Sequence, residues 1–449
     1  MLRLHDTALG RVVDIEPRTP GELTMYACGP TVYGPPHLGH GRQTLTYDIL
    51  RRYLEWSGWT VRHVSNITDV DDNIIERAKR EGRTSEDVAA ECEALWYRAM
   101  DALGVLRPHV DPHASAYVDG MVELVGQLVD AGLAYETSDG VYMQVEKVEG
   151  YGLLALQPLE NLRAGARVDV EEEKRSPLDF ALWKKSKPGE PAWDSPWGPG
   201  RPGWHTECVV MSLDLLGEGF DLHTGGQDLR FPHHENERAQ AVALGREFAR
   251  HWMHHGFVEI EGEKMSKSLG NYVNLIDLVD NTDPRAYRLL VLRSHYRSPI
   301  EITRETIADA DAALGRLDSL ARRTAGLASA GADPDVLDRF RQRMDDDLDT
   351  PAAMALLFET VRQANSALDI EDEDGAAPLA AAVRELAGAV GLELRGESRA
   401  PADVENLARQ REDARARRDF ATADRLRDEL ASRGWVVEDT AAGPTLRPA

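Results

Sequence analysis

The sequence has few cysteines, no long apolar run and a shortage of positive charge. Its 449 residues include only three cysteines, Cys28, Cys92 and Cys208, which are too few and too scattered for a disulfide framework. This scarcity predicts a reducing, cytoplasmic environment and leaves the thiols for metal binding or catalysis. No run of about 18 uncharged apolar residues occurs, so we expect no membrane span. The opening MLRLHDTALG lacks the basic-then-apolar layout of a signal peptide.

The formal net charge of −25 bears on possible partners. Taken alone, it argues against nucleic acid, because phosphate contacts need lysine and arginine. However, the acid is concentrated in tracts such as DVDD, DVEEE and EDED, whereas arginines cluster in the tail after Pro401. Binding depends on a local patch, so the net charge weakens a nucleic-acid hypothesis without excluding it.

The segment FPHHENERAQ, from Phe231 to Gln240, contains the first candidate ligands. His233 and Glu237 stand four residues apart, which places both side chains on one face of a helical turn. An imidazole and a carboxylate at this spacing are half of a zinc site, and Pro232 predicts the helix start. On spacing alone, a polar helix start with a solvated His–Glu pair is the commoner meaning of this pattern.

The segments around this pair predict a sheet edge. Residues 221–229, DLHTGGQDL, predict a short strand and a glycine turn before the helix. A strand at Glu22–Cys28, a helix at about Gly41–Glu55 and a strand at about Thr60–Ile67 form a unit typical of nucleotide-binding α/β folds. Because such folds bind ligands beyond the carboxyl ends of strands, we expect the His–Glu pair at the rim of a substrate crevice.

Two short segments have side chains suited to polyphosphate. HLGH at 37–40 combines two imidazoles with a glycine at a helix start, where backbone N–H groups favour phosphate. KMSKS at 264–268 combines two lysines with two serines, which suits transient neutralisation of phosphate charge. A histidine-bearing turn and an exposed basic loop are the alternatives for each segment alone, and their joint occurrence weakens both alternatives.

Together, HLGH and KMSKS resemble the signatures of class I aminoacyl-tRNA synthetases. Longer segments resemble the cysteinyl-tRNA synthetase family: YACGPTVYGPPHLGHGR, SNITDVDDNII, PWGPGRPGWHTECVVMS, DLHTGGQDLRFPHHENERAQ and KMSKSLGN. The resemblance runs from about Met25 to the C-terminus. It departs from the usual pattern at Leu38, where isoleucine is usual, and at Gly34, where aspartate is common. Neither change removes a polar catalytic group.

The resemblance implies one zinc ion per chain, bound by Cys28, Cys208, His233 and Glu237. A pocket cannot reject serine by packing alone, because serine and cysteine differ by one atom. Zinc binds a thiolate strongly and lowers the thiol pKa, whereas an alcohol ionises far less readily. Selectivity then arises on binding, and no editing domain is implied. We interpret Cys92 as a small buried hydrophobe on an amphipathic helix.

The resemblance also implies the reaction. The cysteine carboxylate attacks the α-phosphorus of ATP and releases pyrophosphate, and the terminal ribose of tRNA-Cys then attacks the carbonyl of the resulting adenylate and releases AMP. Phosphate charge would be stabilised by His37, His40, Lys264 and Lys267, with Mg²⁺ accompanying ATP. The expected nucleotide-binding residues are Pro30, Gly39, Gly225, Gly226, Asp228, Lys267 and Ser268, and the expected cysteine-pocket residues are Gly29, Thr31, Thr68, Trp204 and His223.

Some of these residues have competing interpretations. Trp204 lines the pocket by resemblance, but plain core packing is an alternative, and Thr68 and His223 are weaker candidates. Asp228 is expected to accept hydrogen bonds from the ribose hydroxyls. The acidic residues of DVDD are interpreted as a solvated turn. They are Asp69, Asp71 and Asp72.

Residues 115–202 are predicted to interrupt the sheet, as the family's connective insertion does. They contain a helix at about Val118–Ala131 and a hairpin near Val141–Val145. The following LWKKSKPGEPAWDSPWGPGRPGW is too rich in proline for regular elements. Its lysines are interpreted as a solvated loop, with phosphate contact as the alternative. They are Lys184, Lys185 and Lys187.

After KMSKS the pattern predicts a helical bundle, a linker at 396–401 and a basic tail. A helix at about Val404–Arg418, a second helix at Phe420–Ser432 and a strand-like WVVEDT resemble the family's small anticodon-binding domain. The arginines with Trp435 suit backbone contact and base stacking on RNA, although a solvated charged hairpin is the alternative. The arginines are Arg409, Arg411, Arg415, Arg417 and Arg418, and the bundle helices are predicted near Arg285–Arg293, Arg304–Ala325, Asp335–Met344, Ala352–Leu368 and Leu379–Val390.

The predicted fold class is α/β: a Rossmann-type parallel-sheet catalytic domain with an inserted connective domain, then a helical bundle and a small mixed α/β domain. We expect a cytoplasmic monomer that joins L-cysteine to tRNA-Cys with ATP and makes no membrane contact. One alternative is a cysteine ligase acting on an amino sugar, which has no need of the basic tail. Another is a non-catalytic RNA-binding paralogue, which would lack the signature histidines or lysines. The predicted boundaries are 1–114, 115–202, 203–260, 261–303, 304–393 and 394–449.

Overall fold

The structure is a computed structural model that describes residues 1–156, 173–260, 263–264, 274–327, 330–396, 402–440 and 443–448. None of the helices in these ranges has the length and apolar character needed to cross a membrane. The strands are β1 (Arg3–Asp6), β2 (Arg11–Asp14), β3 (Glu22–Ala27), β4 (Thr60–Ser65), β5 (Ala134–Glu136), β6 (Gly140–Met143), β7 (Phe180–Lys185), β8 (Gly200–Pro202), β9 (Leu222–Gly226), β10 (His251–His255), β11 (Val258–Ile260), β12 (Glu263–Lys264), β13 (Ile300–Glu301), β14 (Trp435–Thr440) and β15 (Gly443–Pro448). The α-helices are α1 (Leu38–Trp56), α2 (Asp72–Glu81), α3 (Ser85–Ala102), α4 (Val118–Asp130), α5 (Trp204–Leu216), α6 (Glu235–Ala243), α7 (Leu275–Asn281), α8 (Pro284–Leu292), α9 (Arg304–Arg323), α10 (Pro334–Asp345), α11 (Thr350–Asp369), α12 (Glu373–Ala389), α13 (Ala402–Ala416) and α14 (Phe420–Ser432).

A parallel sheet in the order β10–β9–β3–β4 positions the site. Glu22 of β3 pairs with Thr60 of β4, and Met25 of β3 pairs with Leu222 of β9. Because these strands all run in one direction, their carboxyl ends meet at one edge. This confirms the predicted α/β class and places the segments that follow β3 and β9 beside each other.

The first β–loop–α–β unit differs from its prediction at two boundaries. Strand β3 ends at Ala27, so Cys28 follows the strand instead of ending it. Helix α1 begins at Leu38, ahead of the predicted Gly41, because His37 caps it by accepting a hydrogen bond from His40 N–H at 3.3 Å. Farther along, Cys92 is buried on α3, as expected.

The inserted segment forms a four-stranded antiparallel sheet in the order β5–β6–β7–β8. The expectation that its proline-rich part lacks regular elements is therefore wrong. Strand β7 has no proline, and its Trp183 is fully buried. Strand β8 has its proline at its last residue, Pro202. The other four prolines of the proline-rich part lie between β7 and β8, where they remove no backbone donor from the ladder.

The predicted bundle helices are present as α8 to α12, with shifted ends. Helix α12 begins well before the predicted Leu379, because Asp372 caps it by accepting from Gly375 N–H at 2.9 Å, and Pro378 lies inside it. A buried ion pair at 2.5 Å between Arg288 of α8 and Asp48 of α1 connects the bundle to the first helix of the catalytic part. The predicted linker at 396–401 lies mostly outside the described residues.

The tail contains helices α13 and α14 and the hairpin β14–β15. They enclose a small apolar cluster that includes Val404, Leu430 and Leu446, against which Trp435 packs. The two predicted helices and the strand-like segment are confirmed, the second helix with its predicted bounds. Trp435 is half-buried in this cluster, so its ring is less available for stacking than predicted.

Candidate active site and metal centre

The four predicted metal ligands converge at the carboxyl edge of the central sheet. Cys28 follows β3, Cys208 lies in the second turn of α5, and His233 and Glu237 lie between β9 and the first turn of α6. All four side chains are buried, and their ligand atoms lie within 4.8 Å of one another. Three segments that are far apart in sequence therefore contribute to one cluster.

The local structure before Glu237 is not the predicted helix start at Pro232. Phe231 has extended backbone angles, φ −144° and ψ 132°, inside a single π-type turn at Arg230–His234. Helix α6 begins only at Glu235. His233 and Glu237 nevertheless meet, with His233 Nε2 2.9 Å from Glu237 Oε1.

The distances within the cluster fit a tetrahedral metal ion. Cys28 Sγ lies 3.8 Å from Cys208 Sγ and 3.5 Å from Glu237 Oε1. Cys208 Sγ lies 3.8 Å from His233 Nε2. Ligand atoms bound about 2.0 to 2.3 Å from a tetrahedral zinc ion lie about 3.3 to 3.8 Å apart. The three sulfur distances agree with that range, and the shorter His233–Glu237 contact is a hydrogen bond.

The ionisable groups of the cluster shift one another's pKa values. Burial raises the pKa of the Cys28 thiol well above its usual value, whereas the hydrogen bond from Cys28 lowers the pKa of Cys208 to about 6. Burial opposes ionisation of Glu237, but attraction to His223 and His233 outweighs it and keeps its pKa well below the usual range. Burial disfavours a charged His233, but attraction to Glu237 and Cys208 outweighs it and raises the pKa of His233 to about 10. A divalent cation would therefore neutralise Cys208 and Glu237 and displace the protons of Cys28 and His233.

His234 is a further neighbour of the cluster that was not predicted from the sequence. Cys28, His223, His234 and Glu237 form a second group of ligand atoms with the same proximity. His234 Nε2 lies 3.3 Å from Cys28 Sγ, and its Nδ1 lies 2.8 Å from His254 Nε2. The two adjacent histidines in FPHHE indicated that His234 could also contribute. Its partner His254, however, belongs to a separate strand, β10.

The predicted cysteine-pocket residues take different positions around this cluster. Trp204 is 40% exposed, and its ring centroid lies 4.0 Å from that of His233, so it covers the cluster instead of packing in the core. His223 is fully buried, and its Nε2 lies 2.7 Å from Glu237 Oε2. His223 therefore contacts the predicted metal ligand Glu237 and does not line an open pocket.

The wall of the predicted cysteine pocket next to the cluster consists of Gly29–Thr31 and Thr68. Gly29 N–H donates to Asn66 Oδ1 at 2.9 Å, and a Cβ at position 29 would lie 1.6 Å from Asn66 O, so only glycine fits. The Pro30 carbonyl accepts from Thr68 N–H at 3.0 Å. Thr68 Oγ1 in turn donates to Glu207 Oε2 at 2.7 Å.

The histidines of HLGH form the start of α1. His37 and His40 exchange hydrogen bonds between side chain and backbone, each at 3.3 Å, and their rings stack with centroids 3.6 Å apart. Trp96 contacts the His40 ring edge-on at 5.4 Å. Gly39 lies in the first turn beside them. The arrangement joins two imidazoles to a helix N-terminus, which favours a bound anion.

The predicted ribose loop follows β9. The His234 ring fills the space beside Gly225, and a Cβ added at position 225 would lie 2.5 Å from that ring. The Gly225 carbonyl accepts a hydrogen bond from Tyr47 O–H at 2.6 Å. A Cβ at Gly226 would lie 2.5 Å from Asp228 Oδ1. Asp228 itself is exposed at this edge, where a carboxylate is accessible to hydroxyl groups.

The KMSKS segment lies mostly outside the described residues, and this includes Lys267 and Ser268. Lys264 ends β12, where its backbone pairs with Glu259 of β11. The chain is described again from Asn274, which forms a β-bridge with His37. The chain that follows the KMSKS segment therefore passes beside the HLGH histidines.

The acidic run after Thr68 is not a solvated turn, and that prediction is wrong. Asp69 accepts from Ser115 N–H at 2.9 Å, and Asp71 caps α2. Asp72, the first residue of α2, lies 2.6 Å from Lys184 Nζ. Lys184 is therefore part of strand β7 and paired with α2, and it does not lie in a solvated loop.

Three family models match successive parts of the chain. A model of the class I (C) tRNA synthetase catalytic domain matches residues 14–312. A DALR domain model matches residues 339–395. A model of the cysteinyl-tRNA ligase anticodon binding domain matches residues 398–447.

Relatives and solved structures agree with these matches. The chain is 47% identical to the cysteine–tRNA ligase of Thioalkalivibrio sulfidiphilus, with 100% of both chains covered. It is 44% identical to that of Chromobacterium violaceum, again with 100% of both covered. The methionyl-tRNA synthetase of Mycobacterium tuberculosis with methionyl-adenylate has a TM-score of 0.62 at 17% identity, over 82% of this chain and 89% of that one. LeuRS of Agrobacterium radiobacter, in a ternary complex with tRNA, has a TM-score of 0.63 at 12% identity, over 84% and 85%.

Proposed function

Because the chain belongs to the cysteinyl-tRNA synthetase family, we propose that its buried cluster holds the zinc ion that selects cysteine. The chain activates L-cysteine with ATP and transfers it to the 3′ end of tRNA-Cys. The observation that carries the zinc proposal is the agreement between the cluster's sulfur distances and tetrahedral zinc. Held by this cluster, zinc would supply a Lewis acid that favours the substrate thiolate over the serine hydroxyl. The ligands are Cys28, Cys208, His233 and Glu237.

The protein's own groups would orient the amino acid beside that ion. Trp204 lies over His233 and remains partly exposed, so its ring would cover the substrate side chain and exclude water. The tight contact of Gly29 with Asn66 keeps the backbone of Gly29–Thr31 close to the pocket, and Thr68 belongs to the same wall. His223 would hold Glu237 in position.

The nucleotide would bind along the start of α1 and the loop after β9. The phosphates would face His37 and His40, and developing charge would be stabilised by these imidazoles, the helix N-terminus and Mg²⁺. Lys264 and Lys267 would approach from the KMSKS segment, whose return at Asn274 bridges to His37. No protein nucleophile is needed, since catalysis consists of positioning and electrostatics. The other proposed nucleotide contacts are Pro30, Gly39, Gly225, Gly226, Asp228 and Ser268.

A transfer assay with two acceptors tests the proposed substrate pair. The purified zinc-loaded protein is given cysteine and ATP with either tRNA or an amino sugar, and the attached cysteine is measured. We expect stable attachment to tRNA alone, since the relatives named above are tRNA ligases and the tail matches an anticodon-binding model. Transfer to the sugar alone would preserve the adenylation chemistry but contradict the tRNA assignment.

The tail presents a surface suited to the tRNA anticodon. Phe420, the first residue of α14, is 63% exposed, which is unusual for a large aromatic side chain. Exposed arginines precede it at Arg415, Arg417 and Arg418. An accessible ring beside cationic side chains suits stacking on an unpaired base with contacts to its backbone. We assign the stacking role to Phe420 in place of Trp435.

A Phe420→Ala variant should therefore charge tRNA less efficiently. Loss of one base stack, worth about 1–3 kcal/mol, corresponds to a fall in kcat/KM for tRNA of roughly tenfold to hundredfold. ATP–pyrophosphate exchange should be unchanged, because the adenylation site is elsewhere. Ile370→Ala is the matched control, since Ile370 is 76% exposed on the bundle. Equal charging by both variants and the parent would rule out the stacking role.

We further propose that the protein works as a cytoplasmic monomer. The three cysteines are free thiols, in keeping with a reducing compartment. The proposed ligand cluster is complete within one chain, so no second copy is needed to build it. Light scattering at the mass of one chain, 49.8 kDa, would support the monomer, and a stable dimer would contradict it.

A further inference from the structure

An ion-pair cluster joins the inserted sheet to helix α2 near the pocket. Asp72, the first residue of α2, lies 2.6 Å from Lys184 of β7 and also pairs with Arg201 of β8. Arg201 lies 2.8 Å from Glu190, which lies 2.8 Å from Lys79 of α2. We call these five residues the bridging cluster. It has two acids and three bases, and it connects two strands and one loop of the insertion to a single helix of the catalytic part.

The inner members of the bridging cluster are shielded from solvent. The side chains of Arg201 and Glu190 are 11% and 6% exposed. The hydrogen bond from Lys79, assisted by Arg201, lowers the pKa of Glu190 to about 2. Isolated exposed ion pairs contribute little, whereas a network with partly buried members holds its geometry against salt and water more firmly.

The bridging cluster lies beside a second connection between the same two chain segments. Thr68 and Asp72 belong to one segment, and Arg201 and Glu207 belong to the other. Thr68 Oγ1 donates to Glu207 Oε2 at 2.7 Å in the buried interior, and Asp72 pairs with Arg201 farther out. Trp204 lies between Arg201 and Glu207 in sequence, at the start of α5. The two connections therefore bracket the residue that covers the ligand cluster.

We propose that the bridging cluster positions Trp204 and Thr68 against each other and thereby sets the affinity for cysteine. Asp72 and Arg201 are positioning residues, because they contact each other and not the ligand cluster. Without their pairing, the inserted sheet, in which β8 is bonded to β7, can shift relative to α2 and take the first turn of α5 with it. Small displacements of groups that orient a substrate have large effects on binding and rate. This inference rests on the proposal that Trp204 and Thr68 line the cysteine pocket.

Cysteine-dependent ATP–pyrophosphate exchange provides the test. Asp72→Asn and Arg201→Gln should each raise the KM for cysteine about tenfold, with little change in the KM for ATP or in bound zinc. The double variant should be no worse than the single variants, because either change breaks the same connection. Asp72→Glu should recover part of the affinity, since it restores the charge.

Lys184 and Lys185 provide a matched control pair. They are neighbours on β7 whose side chains point to opposite faces: Lys184 binds Asp72, whereas Lys185 Nζ lies 3.0 Å from Glu136 within the insertion. Lys184→Ala should raise the KM for cysteine, and Lys185→Ala should not.

Three results would overturn the inference. They are an unchanged KM for cysteine in Asp72→Asn with only a lower Tm, equal increases in the KM for cysteine and ATP, and equal effects of the two lysine variants. Trp204→Ala separates this failure from failure of the proposed pocket. If Trp204→Ala raises the KM for cysteine while Asp72→Asn does not, only the bridging role is wrong. If Trp204→Ala leaves it unchanged, the pocket proposal fails as well.

Discussion

A Cys208→Ala variant is expected to lose bound zinc and most of its ability to use cysteine. Removing one of four donors from a buried cluster leaves a site with one thiol and incomplete coordination. Metal content should fall from about one ion per chain to a small fraction of that value. The kcat/KM for cysteine in ATP–pyrophosphate exchange should fall by about two to three orders of magnitude, since even changes to groups around a metal cost about 10–100-fold. Metal analysis and exchange kinetics measure the two effects on one preparation.

Cys92, the cysteine that is not a proposed zinc ligand, provides the control for this experiment. Cys92 is buried on α3 and lies outside the ligand cluster, so Cys92→Ala makes the same chemical change without removing a donor. We expect it to retain zinc and cysteine kinetics. Discrimination against serine should weaken in Cys208→Ala and stay unchanged in Cys92→Ala. Parental kinetics in a verified zinc-free protein would show that the cluster does not select the substrate.

His40→Ala should slow adenylate formation by about two to three orders of magnitude, the range found when a donor to developing oxyanion charge is removed. The physical reason is that His40 presents an imidazole beside the N-terminus of α1, where the α-phosphorus of ATP would react. Single-turnover formation of cysteinyl-adenylate measures this step directly. Zinc content and cysteine binding should be unaffected, because His40 is not a member of the ligand cluster.

His40→Gln separates chemistry from helix capping. In the parent, His40 Nδ1 accepts from His37 N–H, so alanine removes a cap as well as an imidazole. Glutamine at this third helical position can supply the capping acceptor without the imidazole. Both variants should be equally slow if the imidazole stabilises phosphate charge. Recovery of the parental rate in His40→Gln would show that the histidine acts only through the helix.

Much of the architecture could be predicted from local patterns. Apolar periodicity located α14 at its exact bounds and most of the other helices within a few residues, because helix formation depends on side chains three and four positions apart. The errors had local causes that composition hides. His37 extended α1 by capping it, and proline-rich sequence concealed β7 and β8 because the prolines fall between and at the ends of these strands.

The sequence by itself determined the residue types that chemistry requires: two cysteines and an HxxxE pair, HLGH before a helix, KMSKS, and a basic tail. Their resemblance to a family suggested which of them act together. Only the tertiary structure decided that Cys28 and Cys208 lie 3.8 Å apart, that His234 joins their surroundings, and that Asp72 is paired instead of solvated. The reason is physical: these contacts join segments far apart in the chain, and the order and direction of the strands bring them to one edge.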